Sequence, residues 1–69
     1  MEKSEILKEI ENRAIVLAHT VAFYDSEDRA IERGKAFSAF FELTALYEKI
    51  TGVDKCIEFL SKGNDRMYN

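Results

Sequence analysis

Residues 4–24 read SEILKEIENRAIVLAHTVAFY, and the placement of apolar side chains in this stretch decides the fold class. Leu7, Ile10, Ala14, Leu17, Val21 and Tyr24 follow one another at spacings of 3, 4, 3, 4 and 3. That alternation keeps them on one narrow face of an α-helix, the kind of seam along which two helices pack. The stretch therefore predicts a first helix over residues 4–24.

Immediately after it, Asp25-Ser26 and Glu27-Asp28 offer a helix N-cap followed by acidic residues for a first turn, where the helix dipole favours them. A second helix is expected over residues 26–50, closed by Thr51-Gly52 with Gly52 in the left-handed position after the helix. Ala36, Phe40, Leu43, Tyr47 and Ile50 repeat the seam at spacings of 4, 3, 4 and 3, and Ala39 and Leu46 widen it. Two long helices of similar length joined by a tight turn pack antiparallel. A short third helix is expected over residues 54–62, with Asp54 as N-cap, Gly63 as terminator, and Val53, Cys56, Ile57 and Leu60 on one side. That side is suited to cover the open end of the hairpin, where Leu7 and Ile10 lie opposite Tyr47 and Ile50. Residues 1–63 then form a single helical domain, and residues 64–69 a frayed tail without hydrophobic period. The fold class is all-α, an antiparallel helical hairpin with a short C-terminal helix.

The chain has 69 residues, and below about 70–80 residues one core rarely supplies more than roughly 3–5 kcal/mol. A staple is expected. One cysteine makes no internal disulfide, and one histidine with one cysteine falls short of a structural zinc site, so self-association remains. A second set of apolar residues fits that reading. Val16, His19 and Phe23 sit far from the first seam, and Ala30, Gly34, Phe37 and Phe41 cluster roughly 100–160° from the second on a helical wheel. Small residues beside rings suit the close approach of a partner helix, so these seven residues predict the interface of a homo-oligomeric bundle.

Other classes are excluded or weakened by charge and motif. A net charge of −3 argues against general binding to nucleic acid or anionic lipid. No run approaches the roughly 18 apolar residues of a membrane span, and Met1-Glu2-Lys3-Ser4-Glu5 is no signal-peptide start, so a cytoplasmic location is expected. Cys56, on an apolar helix side, reads as an inert core thiol, and His19 as a partly buried or interfacial residue. Glu2, Glu5 and Glu9 share a face without the Glu-x-x-His spacing of bundle metal sites and read as a solvated surface. No catalytic residue, metal ligand or cofactor is expected, and the protein is read as a non-enzyme.

One local cluster points to binding. Arg29 and Arg33 lie one turn apart near the hairpin tip, with Phe23 and Tyr24 across the turn. Guanidiniums offer paired donors to a phosphate or carboxylate, and the rings a face for a planar group. The first reading of the same arginines is nonetheless a salt-bridge cluster with Asp25, Asp28 and Glu32, with the ligand site second.

The order of long helix, polar turn and aromatic-bearing long helix, with Asp28-Arg29 followed by Phe37, Phe40 and Phe41, resembles a family of phage proteins. These are helical-hairpin sponges for the nucleotide signals of host immunity. The resemblance covers about residues 5–52. It implies anti-defence by sequestration of an anionic nucleotide at a site between subunits, without catalysis, with Arg29, Arg33 and Tyr24 as binding positions. The alternative is a protein-interaction module, an inhibitor or adaptor that docks on a host protein through Phe37 and Phe41.

Overall fold

The computed structural model describes the backbone of residues 2–68 and the side chains of residues 2–65. It contains three helices, α1 (Lys3–Ser26), α2 (Ala30–Thr51) and α3 (Cys56–Tyr68), with no strand among the described residues. No helix is long and apolar enough to cross a membrane.

The expected seams meet. Ile10, Ala14 and Val21 of α1 and Ala36 and Phe40 of α2 are buried, while Leu7, Leu17, Tyr24, Leu43, Tyr47 and Ile50 are half-buried along their margins. Leu46 is the exception: expected to widen the seam, it stays exposed on the flank of α2.

The hairpin turn falls later than the capping residues suggest. Ser26 ends α1 instead of opening α2, its hydroxyl donating to the Phe23 carbonyl at 2.7 Å. The amides of Glu27, Asp28 and Arg29 donate to the carbonyls of Phe23, Asp25 and Tyr24 at 3.1, 3.2 and 2.9 Å, so the helical path winds down before the chain reverses. Asp28 makes the reversal at φ 57°, a left-handed conformation that Asp tolerates better than most side chains. Helix α2 then starts at Ala30 with no side-chain cap. At its other end Gly52 takes the expected left-handed conformation, φ 76°, with its amide donating to the Glu48 carbonyl at 2.6 Å.

Helix α3 departs most from expectation. Asp54 accepts from the Cys56 amide at 2.9 Å, as a capping residue should. The helix, however, passes through Gly63 and continues to Tyr68, so residues 64–68 are helical and not frayed; Asn69 lies outside the described residues. Its inward residues are Cys56, Phe59, Leu60 and Gly63, a 3, 1, 3 spacing that follows the helical period. Phe59 is fully buried, whereas Val53 and Ile57, expected on the covered side, are exposed.

Rather than closing one end, α3 lies along α1 and reaches the hairpin tip. It covers Ile15 and Ala18, two buried α1 residues outside the predicted seam, and Phe59 meets the Tyr47 ring edge-on at 5.4 Å. Gly63 supplies the closest approach. A Cβ there would collide with the Ala18 Cβ and stand 2.7 Å from the His19 amide nitrogen and 2.9 Å from the Ala18 carbonyl carbon. Glycine at this position marks a helix crossing, not a helix end. The result is an up-down-up bundle around Ala14, Ile15, Ala18, Phe40 and Phe59, 38 Å long and 20–25 Å across.

Candidate functional site

The hairpin tip brings the predicted binding residues together. Tyr24, Asp25, Asp28, Arg29, Ala30 and Arg33 line one small cleft of about 80 Å³. Arg33 donates through Nη1 to Asp25 Oδ1 at 2.8 Å, tying the first turn of α2 back to the end of α1. Arg29 makes no ion pair among the described residues. Phe23 packs edge-to-face on Tyr24 at 5.6 Å with its outer side exposed.

Size and charge both limit this cleft. At about 80 Å³ it falls well below the roughly 300–1,000 Å³ of small-molecule sites. Two carboxylates stand beside the two guanidiniums, so the salt-bridge reading is realised for Asp25 and Arg33. Both partners are largely exposed, and such pairs contribute about 0–1 kcal/mol. Arg33→Ala is expected to change the unfolding free energy by less than about 1 kcal/mol in a urea titration; a larger loss would show that the pair locks the turn.

The residues expected to form one oligomer face fall on different sides. Val16 flanks an open groove between α1 and α2, lined also by Asn12, Arg13, Leu17 and Leu43, with a volume of about 430 Å³. No described α3 residue borders it. Phe37, by contrast, is half-buried on the α3 side, against the core cluster and stacked on Phe41 at 4.9 Å. His19 is also half-buried, next to the Gly63 crossing, and its Nδ1 is buried without a hydrogen-bond partner among the described residues. Ala30, Gly34 and Phe41 remain exposed on α2. The third helix divides them because it packs on only one flank of the hairpin.

Gly34 has nothing within 4 Å of a built Cβ, so the single chain gives no packing reason for a mid-helix glycine. Gly34→Ala is expected to raise stability by roughly 0.5–1 kcal/mol through helix propensity alone. Thermal unfolding at two protein concentrations checks this. Destabilisation that grows with concentration would place Gly34 in a contact between copies.

Burial pushes the Cys56 thiol above its ordinary pKa, and the Asp54 charge adds to this, partly offset by the nearby Thr44 hydroxyl. A thiol held protonated is a poor nucleophile. Among the described residues no group of three or more His, Cys, Asp or Glu side chains is placed to hold a metal ion. Glu9 of the acidic face is engaged by Arg13 at 2.9 Å.

The feature that residue spacing did not disclose is a cleft between all three helices near the tip. It encloses about 650 Å³ and is bordered by Ala22 and Asp25 of α1, Arg33 and Phe37 of α2, and Leu60 and Asn64 of α3. Its α3 wall comes from Leu60 and from Asn64, just past Gly63. No protein-family model, curated protein or solved structure matches the chain.

Proposed function

We propose that this chain is a non-catalytic binding protein whose first partner is a second copy of itself, docked on the α1–α2 face opposite α3. The observation that carries this reading is the uncovered apolar groove through Val16, Leu17 and Leu43. Leu46, one turn beyond Leu43, extends it with an exposed side chain, as does Ile6 toward the N-terminal end of α1. The groove runs along a molecule 38 Å long, and a stable complex buries ~800 Å² per partner, so the docked copy would have to use most of this face. A bundle of 69 residues without a disulfide gains most from such a contact, because its own core supplies only roughly 3–5 kcal/mol. Pairing two α1–α2 hairpins through this face gives a four-helix layer with α3 on each outer side.

Light scattering coupled to gel filtration tests the assembly. The protein is expected to elute at twice its monomer mass, and Leu43→Glu, which sets a charge in the groove, to elute as a folded monomer with an unchanged helical circular dichroism spectrum. A wild-type monomer at high micromolar concentration would overturn the reading and leave the groove to a foreign protein.

Sequestration of an anionic nucleotide by a phage anti-defence protein is the second reading. The gathering of Arg29, Arg33 and Tyr24 at one tip favours it. Since the tip cleft of one chain is too small, a nucleotide would need walls from the second copy. Isothermal titration with cyclic dinucleotides, repeated on Arg29→Ala, tests it; saturable binding lost in the variant supports it.

A further inference from the structure

We infer that the cleft between the three helices is a binding site for a small, uncharged, planar aromatic molecule bearing a hydrogen-bond donor and acceptor side by side, such as an aryl amide. Its volume of about 650 Å³ falls within the roughly 300–1,000 Å³ of small-molecule sites. Ala22, Phe37 and Leu60 provide apolar walls from three different helices. The Phe37 ring, held by contacts with Phe40 and Phe41 at 6.2 and 4.9 Å between ring centres, is the aromatic wall among these.

The polar groups choose the charge of the ligand. Arg33 spends one of its guanidinium N–H donors on Asp25 Oδ1 and keeps others for a guest, while Asp25 Oδ2 is left to accept. Donor and acceptor thus lie next to each other on the cleft wall, and their charges cancel. A carboxylate or phosphate that takes the free Arg33 donors would sit beside the Asp25 carboxylate and be repelled by it. A carboxamide satisfies both groups without disturbing the pair, and its ring replaces water against Phe37 and Leu60. Asn64, at the mouth, adds a donor and an acceptor of its own.

The cleft is separate from the α1–α2 groove and does not depend on self-association. The test is a ¹⁵N–¹H NMR titration with 2-naphthamide and its isosteric anion 2-naphthoate. Saturable shifts are expected at Ala22, Arg33, Phe37 and Leu60 with the amide at about 1 mM or below, and binding of the anion at least about tenfold weaker. Ala22→Leu, which fills the cleft, and Arg33→Met, which removes the donors, are each expected to weaken the amide by about tenfold or more with the rest of the spectrum preserved. Equal or tighter binding of naphthoate overturns the assigned ligand class. Shifts confined to Val16 and Leu43, or no binding of either probe, overturn the site.

Discussion

Gly63→Ala is expected to lower the unfolding free energy by about 1–3 kcal/mol, the usual cost of forcing extra volume into a packed contact. The added methyl meets Ala18 Cβ and, at 2.7 and 2.9 Å, the α1 backbone itself. Backbone in mid-helix has no rotamer to change, so α3 must lift away from α1. Alanine returns about 1 kcal/mol of helix propensity, which softens the loss without cancelling it. Against a total of roughly 3–5 kcal/mol the remainder is large. Urea denaturation followed at 222 nm measures it, and Gly34→Ala, expected to shift the midpoint the other way, is the matched control. Equal stabilisation by both substitutions would mean that α3 does not approach α1 at Gly63.

Phe59→Ala is expected to cost still more, about 3–5 kcal/mol, as for other fully buried aromatic side chains cut back to a methyl. Phe59 has no solvent exposure and joins the Tyr47 edge on α2 to the Ala14–Ala18 surface of α1, so its loss opens a cavity where all three helices meet. The cost equals the whole stability of a bundle this size. The variant should therefore be largely unfolded at 25 °C, with collapsed amide dispersion in NMR. Phe59→Leu, which keeps most of the volume, should stay folded with a lower melting point. Were Phe59→Ala to melt within a few degrees of the wild type, α3 would be an appendage and the core would belong to the hairpin alone.

These two residues also mark where sequence reading stopped. The α1 and α2 seams were legible because each helix buries one face against the other, and a 3–4 alternation reports that directly in Ile10, Ala14, Val21, Ala36 and Phe40. Gly52 was legible because a left-handed backbone at a helix end leaves a local signature. Gly63 carried the same letter with another meaning, since close approach to Ala18 depends on a residue 45 positions away. Phe59 was obscured by Ile57 and Val53, which are as apolar and sit at the helix start, although the completed period through Gly63 would have favoured Phe59. Ser26 looked like a cap, but α1 gained more by extending its hydrogen bonds to the turn than by ending early.

The candidate sites divide in the same way. Arg29, Arg33 and Tyr24 could be placed at one tip because they flank a single turn, and the structure gathers them. Whether a guanidinium there meets a ligand or a neighbouring carboxylate is a matter of side-chain placement, and Asp25 takes Arg33. The seven residues grouped as one interface were sorted only by distance from their own helix seams. Their true neighbours depend on the flank that α3 occupies.

Sequence alone therefore determined that there are three helices and which faces of α1 and α2 turn inward, because hydrophobic period acts between residues a few positions apart. Tertiary structure decided which outer faces are covered, where the cleft between the three helices opens and which glycine is a contact. Those follow from the packing of α3 on α1, a relation between distant segments that no local pattern encodes.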